Sequence, residues 1–407
     1  MRSLNNRKVF MFTFLRSPAM TIGLAIFCML FGAGNLIYPL KAGINCGDAL
    51  IPAIIGFCMT AVIIPLLGLV SIILFNGDYR AFFYRLGNKT GAAVIALCML
   101  LVGPFFASAR LVTVSHGVLS PFLPSWVTPT LFSVIFCIGV FIATYSAKKF
   151  IALLSDIISP ILIVSIGVIF IKGLLNSGTL PLNTDTAWNT FNDQALLGYS
   201  TLDLLGTILF GSVILNIIKQ RMEQNNNYNL TALALTSLKG GIIGCTLLTV
   251  VYCQMIFLGA AYGKGMENTP ITDLFSAISL KILGAQGGFF IALTVTLACF
   301  STLMALAAVL AEYIHKEVTH QRVCFKSSLV ITLAFTAFIS QFGLDTISLY
   351  AGPIFITLYP ALITLAIVNI LYKLTGFSLT KIPFFITLAV SIYYNLESFK
   401  VFTAFLQ

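Results

Sequence analysis

Long apolar segments, separated by short polar connections, occupy almost the whole chain. A helix that crosses a bilayer needs about 20 mostly apolar residues, and in hydrocarbon every backbone polar group must be bonded within the structure. The segments show no alternation with a period of two, which excludes a membrane β-barrel. The pattern predicts an all-α polytopic membrane protein with helices at about 18–40, 49–75, 91–115, 127–145, 150–172, 199–218, 231–261, 287–312, 327–343, 346–372 and 382–404.

The composition agrees with a lipid environment. Of the 407 residues, 58% are apolar and only 9% are charged, whereas soluble proteins carry about 25% charged residues. The net charge of +10 comes from basic residues that are scattered singly between the apolar segments. Because they form no stripe or tail, they indicate no nucleic-acid partner. Membrane lipid is the partner that the composition implies.

The basic residues also predict the orientation of the chain. Counted over alternate connections, 16 lie on the side of the N-terminus and 5 on the other side. Since Lys and Arg accumulate in cytoplasmic loops, we expect a cytoplasmic N-terminus. The basic start is followed by an apolar stretch without a cleavage site of small residues, so we expect an uncleaved first helix rather than a signal peptide.

One polar connection is much longer than the others. It covers about 173–198 and is predicted to be an external loop. This loop divides the first ten helices into two sets of five, and because five is odd, the second set enters the membrane from the opposite side. The chain is therefore predicted to be one transporter domain, 1–407, with an inverted repeat. Its parts are repeat one at about 18–172, repeat two at about 199–372 and a C-terminal span at about 382–404.

The first helix of each set contains residues that disfavour a continuous helix. Gly32, Gly34 and Asn35 lie near the middle of the first span, and Gly206 and Gly211 lie near the middle of the sixth. Paired interruptions of this kind are the best sequence indication of a transporter's binding site. A broken helix frees N–H groups, which attract a carboxylate, and carbonyl groups, which suit a cation. The alternative is that these glycines only allow close helix packing, which is our interpretation of Gly240 and Gly244.

The residues around these interruptions resemble the signature of the branched-chain amino acid:cation symporter family. The resemblance covers about 18–373, with departures at Ala109, where a proline is expected, at His116, where an aromatic residue is usual, and in the short C-terminal part. The matching motifs, in chain order, are PheGlyAlaGlyAsnLeuIleTyrPro at 31–39, GlyProPhePheAlaSerAlaArgLeuValThrValSer at 103–115, GlyTyrSerThrLeuAspLeuLeuGly…LeuPheGly at 198–211 and ThrLeuAlaCysPheSerThr…AlaGluTyr at 296–313.

The resemblance implies a fold and a function. The family belongs to the amino acid–polyamine–organocation superfamily, which implies the LeuT-type five-plus-five inverted repeat with broken helices 1 and 6. It implies a secondary symporter that brings leucine, isoleucine and valine into the cell with Na⁺, or with H⁺, in the bacterial inner membrane. The only implied binding partners besides lipid are the amino acid and its coupling ion, and no cofactor is implied.

The resemblance also implies two sets of site residues. The substrate-binding set lies at the break of the first span and on the facing side of the sixth: Leu30, Gly32, Ala33, Gly34, Thr207 and Phe210. The cation-binding set lies between the first and eighth spans, with Asn35 near a second ion: Cys28, Phe31, Ala298, Ser301, Thr302 and Asn35.

Two ionisable residues at membrane depth are further candidates. Asp203 either binds a proton or cation or lies in water at the outer end of the sixth span. Arg110 either contacts the substrate or, as we favour, supports loop carbonyls in the third span. The sequence leaves both alternatives open.

Other classes of function fit the sequence less well. Another neutral amino acid is an alternative substrate. A channel needs a filter of carbonyls or charges, and no such repeated sequence occurs. An enzyme needs a nucleophile with a base or a metal cluster, but His116, His315 and His320 lie in connections or at span ends. The nine cysteines have no paired spacing, and we expect them to be packing residues rather than metal ligands.

Overall fold

The structure of the protein is a computed structural model that describes residues 17–145, 147–224, 230–266, 269, 273–284 and 287–396. All regular secondary structure in these ranges is helical. Of the residues used to predict orientation, Arg2, Arg7, Lys8, Arg16 and Lys400 lie outside the described residues. The predicted C-terminal span at 382–404 is described only as far as 396.

The helices follow the predicted order of spans, and several spans are divided into two helices. Short π-helical turns join the two halves of the second and fifth spans. In chain order the helices are α1 (Pro18–Leu30), α2 (Ala33–Cys46), α3 (Leu50–Cys58), α4 (Ile64–Leu74), α5 (Tyr79–Tyr84), α6 (Asn88–Val102), α7 (Ala107–Leu119), α8 (Pro129–Thr144), α9 (Ala147–Ala152), α10 (Ser159–Leu175), α11 (Ala187–Tyr199), α12 (Asp203–Gln224), α13 (Leu230–Tyr262), α14 (Leu274–Leu283), α15 (Gly288–Tyr313), α16 (Phe325–Ile339), α17 (Gly343–Thr375) and α18 (Lys381–Tyr394).

Length and hydropathy identify the helices that can cross a membrane. Within the described residues, seven helical stretches are long and apolar enough alone, and two more are bent pairs. The pairs are α1 with α2, bent by 74°, and α11 with α12, bent by 46°. Helices α8 and α18 are apolar but shorter. Each of the predicted spans therefore corresponds to a helix or a helix pair.

The first span is broken where the sequence predicts it. Helix α1 ends at Leu30 and α2 begins at Ala33. Gly32 lies between them in an extended conformation, with φ −102° and ψ −168°. Its N–H donates to the Leu30 carbonyl over 2.9 Å and to Asn35 Oδ1 over 3.3 Å, so this donor is shared between the backbone and a side chain of α2's first turn.

The sixth span is broken at a different place from the prediction. The break lies at residues 200–202, and α12 runs without interruption through Gly206 and Gly211. Leu202 adopts a left-handed φ of 58°, which is rare for a residue with a side chain and marks a sharp change of chain direction. A Cβ on Gly211 would lie 2.7 Å from Ile72, so this glycine allows close packing and does not break the helix.

The sixth span begins earlier in the chain than predicted, so the second repeat also begins earlier. Helix α11 begins at Ala187, inside the segment that was predicted to be an external loop. Its sequence, AlaTrpAsnThrPheAsnAspGlnAlaLeuLeuGlyTyr, is half polar, so a hydropathy criterion assigns it to a loop. It is helical because Thr186 caps it, accepting from the N–H of Asn189, and because one side of it packs along α3.

The contacts between spans repeat with the symmetry expected of two inverted halves. The first span packs on α13, the seventh, and the sixth span packs on α3 and α4, the second. The third and eighth spans contact each other through α7 and α15, and the fourth and ninth through α8 and α16. Exchanging each span with its counterpart five positions later converts this set of contacts into itself.

Glycines make the closest of these contacts. An added Cβ would lie only 2.0 Å from a backbone oxygen of the facing helix at Gly43, 2.1 Å at Gly259, 2.2 Å at Gly56 and 2.4 Å at Gly198. The first two glycines join the first span to the seventh, and the other two join the second to the sixth. The backbones therefore touch in both of these span pairs, as small residues permit in membrane helices.

We expect Gly259→Ala to destabilise the protein by about 1–3 kcal/mol, since the new methyl group would meet the Leu40 carbonyl and push α13 away from α2. The matched control is Gly167→Ala in α10, where no atom lies within 4 Å of the added Cβ. That change should be neutral or stabilise by up to about 1 kcal/mol, because alanine favours a helix. Thermal unfolding of both variants in detergent measures the difference, and equal melting temperatures would contradict the close contact.

Candidate functional site

The two helix breaks meet at a cavity in the middle of the bundle. The third, eighth and tenth spans close its remaining sides. Its wall is mostly apolar, with a small group of polar and charged side chains. The lining residues are Met29, Leu30, Gly32, Ala33, Gly34, Asn35, Val102, Phe106, Ala107, Arg110, Leu111, Thr201, Leu202, Asp203, Gly206, Phe210, Thr302, Leu306 and Phe355.

Most of the residues predicted to bind substrate lie together at this cavity. Thr207 is the exception among the six. Its hydroxyl donates to the Leu204 carbonyl over 2.7 Å and lies against Gly68 of the second span. The prediction that Thr207 faces the cavity therefore differs from the structure, because α12 turns Gly206 toward the cavity instead. The members of the predicted set that line it are Leu30, Gly32, Ala33, Gly34 and Phe210.

The predicted cation residues come together between α1 and α15. Ser301 Oγ lies 3.0 Å from the Cys28 carbonyl oxygen and 2.9 Å from that of Ala298. Thr302 Oγ1 is buried and has no hydrogen-bond partner among the described residues. It lies 3.2 Å from the position of a Cβ on Gly32. These are neutral oxygens, which suit a hard cation.

Two further residues of that set lie at the break itself. Phe31 follows the last residue of α1 and is fully buried. Asn35 lies in the first turn of α2, and its side-chain oxygen already accepts from the N–H of Gly32. A second ion at Asn35, which the sequence suggested, would therefore compete with this bond.

Asn35 connects three spans. Its Nδ2 donates to Asp203 Oδ2 over 2.5 Å and to Tyr252 Oη over 2.6 Å. Asp203 begins α12 in the sixth span and Tyr252 lies in α13 in the seventh. The side chain of Asn35 thus holds the two helix breaks together, and buried networks of this kind contribute rigidity when every member is satisfied.

Of the two positions that the sequence leaves open for Asp203, the structure has the one inside the bundle. It is the first residue of α12, it is half-buried, and it lines the cavity, so it does not extend into water at the outer end of the span. A carboxylate at a helix N-terminus is favoured by the helix dipole. The next residue, Leu204, donates its N–H to Tyr359 Oη of the tenth span over 3.0 Å, which satisfies one donor that the break leaves free.

Arg110 also lines the cavity, from α7 of the third span. Its Nη2 lies 3.0 Å from the position of a Cβ on Gly34, beside the first turn of α2. Its guanidinium carbon lies 6.0 Å from the ring centre of Tyr38 and 5.7 Å from that of Phe106. Within the described part of the chain, the side chain makes no hydrogen bond to a loop carbonyl, which was the role favoured from the sequence.

Local sequence patterns indicate several of the cavity residues only weakly. Thr201 and Leu202 form the break of the sixth span, and the polar cluster Ser200-Thr201 directly before an apolar helix was the available sign of it. Phe355 lies between two prolines of the tenth span, Pro353 and Pro360, but nothing in its local pattern separates it from a packing residue. Tyr252 carries no local signal, because only the fold brings it to Asn35.

Comparison with known proteins identifies the family to which the chain is similar. A family model described as "Branched-chain amino acid transport protein" matches residues 16–407. The chain is 30% identical over 363 residues to the branched-chain amino acid permease BraB of Bacillus subtilis, covering 87% of this chain and 80% of that protein. It is 25% identical over 392 residues to a putative branched-chain amino acid carrier protein of Staphylococcus aureus, covering 91% and 86%.

Solved structures of low sequence identity share the fold. One is a nucleobase-cation-symport-1 family transporter in a closed conformation, with a TM-score of 0.56, 14% identity and coverage of 94% of this chain and 92% of that one. Another is a Na⁺-coupled sialic acid symporter in an outward-open state, with a TM-score of 0.55, 12% identity and coverage of 92% and 88%. The predicted LeuT-type inverted-repeat fold with broken first and sixth helices is confirmed.

We expect Asn35→Leu to destabilise the protein by about 1–3 kcal/mol more than Asn369→Leu. The first change removes three hydrogen bonds and leaves Asp203 and Tyr252 without this partner, whereas Asn369 donates a single bond to the Phe82 carbonyl. Both side chains are buried, so the cost of reshaping the core is similar. Thermal unfolding in detergent compares the two, and an equal loss of stability would mean that Asn35 does not hold the breaks together.

Proposed function

Because the chain belongs to the branched-chain amino acid transport protein family, we propose that it is a secondary symporter that carries leucine, isoleucine or valine into the cell with a cation. Its relatives are permeases and carriers, so it is a transporter and not an enzyme. The observation that carries the proposal is the cavity at the two helix breaks, which combines apolar walls with a polar side.

The proposed substrate position follows from the first break. The N–H groups of Ala33 and Gly34 open α2, and no earlier turn of that helix uses them. A substrate carboxylate placed there accepts from backbone donors at the positive end of the helix dipole. The Ala33 N–H also lies within hydrogen-bond reach of the Cys299 thiol. Leu30 and Phe210 then offer apolar surface to the side chain, where each buried methylene contributes about 0.8 kcal/mol.

Na⁺ is the proposed coupling ion. The position formed by the carbonyls of Cys28 and Ala298 and the hydroxyls of Ser301 and Thr302 offers neutral oxygens, with Phe31 at the adjacent break. An ion held there would connect α15 to the same break that receives the substrate. The shared fold with a Na⁺-coupled symporter supports this choice. In the alternative, H⁺ is the ion, and Asp203 is its candidate carrier.

The proposed location is the bacterial cytoplasmic membrane with the N-terminus inside. The excess of basic residues on one side, 16 against 5, supports this orientation. The proposed transport cycle moves the first, second, sixth and seventh spans together against the others, so that the cavity opens to one side at a time. The glycine contacts tie the first span to the seventh and the second to the sixth, which supports movement of each pair as a unit.

Uptake into proteoliposomes tests the function. We expect an inward Na⁺ gradient to drive saturable accumulation of radiolabelled leucine, and a pH gradient alone to fail. Isoleucine and valine should compete within about tenfold of leucine, because one methylene discriminates weakly in an apolar pocket. Lysine and glutamate should not compete, since an additional buried charge would have no partner. Strong inhibition by lysine, or by alanine more than by isoleucine, would contradict the proposed substrate class.

The ion position has its own test. We expect the double variant Ser301→Ala with Thr302→Ala to raise the Na⁺ concentration for half-maximal uptake by at least about tenfold, which corresponds to about 1.4 kcal/mol. Leucine affinity should fall with it at fixed Na⁺, because the two ligands are linked.

The matched control for the ion test is Ser328→Ala with Thr332→Ala in α16, which removes the same two kinds of buried hydroxyl away from the breaks. Its Na⁺ dependence should equal that of the unmodified protein. An unchanged Na⁺ dependence of the Ser301 and Thr302 variant would show that the coupling ion binds elsewhere.

A further inference from the structure

The cavity has one positively charged corner. Arg110 Nη2 lies beside Gly34, in the first turn of α2. The N-terminal end of a helix carries positive partial charge, so the guanidinium and the helix end repel each other unless an anion lies between them. Across the described residues, the ion pairs closer than 4.0 Å are Arg80 with Glu317 and Lys316 with Glu312. Arg110 therefore has no carboxylate of the described residues within 4.0 Å, although it interacts with Asp203 at a longer distance.

The negatively charged side chain of Asp203 lies beside the next residue of α2. Asp203 Oδ2 accepts from Asn35 Nδ2 over 2.5 Å, and Asn35 directly follows Gly34. Gly34 of α2 thus lies beside the Arg110 guanidinium, and the following residue, Asn35, donates to the Asp203 carboxylate. Both charged side chains line the same cavity, yet they are more than 4.0 Å apart, since they do not form an ion pair.

Such a pair of separated charges is costly without a ligand. A charge that is partly removed from water needs a partner, and two opposite charges that share a cavity normally close on each other. Instead, Asp203 accepts from Asn35 and contacts Thr201, and Arg110 lies near the rings of Phe106 and Tyr38. The arrangement leaves a space with a cation on one side and an anion on the other.

We propose that Arg110 and Asp203 bind the two charges of the substrate, with the guanidinium on its carboxylate and the Asp203 carboxylate on its ammonium group. This rests on the proposed function, and it assigns the ligand class more narrowly, as free α-amino acids with both charged groups. Arg110 adds a charge-assisted donor to the N–H groups of Ala33 and Gly34. The apolar substituent then points toward the rings of Phe210 and Phe355, which line the rest of the cavity.

This assignment explains why the cavity favours a zwitterion. The two protein charges and the two substrate charges cancel locally, so no buried charge remains unpaired when an α-amino acid is bound. A ligand with only one of the charges leaves either Arg110 or Asp203 without its partner, and that loss is larger than the loss of one neutral hydrogen bond.

The test uses two leucine analogues, each lacking one charge. Leucinamide keeps the ammonium group and lacks the carboxylate, and 2-hydroxy-4-methylpentanoate keeps the carboxylate and lacks the ammonium group. Their affinities are measured by competition with radiolabelled leucine bound to the full-length purified protein. For the unmodified protein we expect each to compete at least about a hundredfold more weakly than leucine, because a charged hydrogen bond and its geometry are both lost.

Two variants should then change the two affinity ratios in opposite ways. Arg110→Gln should reduce the preference for leucine over leucinamide by at least about tenfold and leave the preference over the hydroxy acid nearly unchanged. Asp203→Asn should do the reverse. Ratios within one variant are compared, so partial loss of folded protein does not affect them. The control is Arg85→Gln, whose guanidinium lies over the Tyr372 ring outside the cavity, and it should keep both ratios.

Several outcomes would overturn the assignment. Equal losses for leucine and both analogues in Arg110→Gln and Asp203→Asn would give the two residues a structural role only. An altered Na⁺ or pH dependence of Asp203→Asn with unchanged analogue ratios would assign Asp203 to the ion. If Arg110→Gln binds no ligand, Arg110→Lys decides, because its retained charge should keep leucinamide at least about tenfold weaker than leucine. Failure of the unmodified protein to bind leucine would instead reject the proposed function.

Discussion

The requirement that backbone groups find partners in hydrocarbon governs this structure. Each helix break frees donors and acceptors that lipid cannot satisfy, so a break survives only where other groups take over. At the first break, the side chain of Asn35 accepts from the N–H of Gly32. At the sixth break, Tyr359 of the tenth span accepts from the N–H of Leu204. The Leu30 carbonyl also accepts from the Gly32 N–H. Two polar side chains, one local and one from a distant span, therefore supplement the backbone where the chain is irregular at the centre of the bundle.

A helix break can be predicted from the sequence when the groups that stabilise it are close together in the chain. The first break was predictable, because Gly32, Gly34 and Asn35 are close together and the donor and acceptor of its cap lie three residues apart. The sixth break was not, since its acceptor is Tyr359, 155 residues away. The polar residues of α11 also led to the prediction of a loop where the structure has the first half of the sixth span. Gly211 was predicted to interrupt the helix, but it packs against Ile72.

The same distinction applies to the cavity. Leu30, Gly32, Ala33 and Gly34 follow one another around the first break, so a motif is sufficient to bring them together. Thr207 and Gly206 are neighbours whose directions differ by about 100° on a helix, and the choice between them depends on the rotation of α12, which its packing on α4 determines. Arg110 and Asp203 were evident as charged residues at membrane depth, but their partners depend on three spans meeting, which no local pattern encodes.

The position of the cavity relative to the glycine contacts links binding to movement. Gly43 with Gly259, and Gly56 with Gly198, join four spans into two closely packed pairs. Leu30, Gly34 and Asp203 belong to these spans, whereas Arg110 and Thr302 reach the cavity from the third and eighth spans. In the proposed function, the substrate carboxylate and the ion each contact both groups of spans. A ligand that bridges two bodies changes the free energy of their relative arrangement, and by linkage each ligand then strengthens the binding of the other. In the proposed function, coupling therefore requires no direct contact between ion and amino acid, because both are proposed to bind at the same broken segment of the first span.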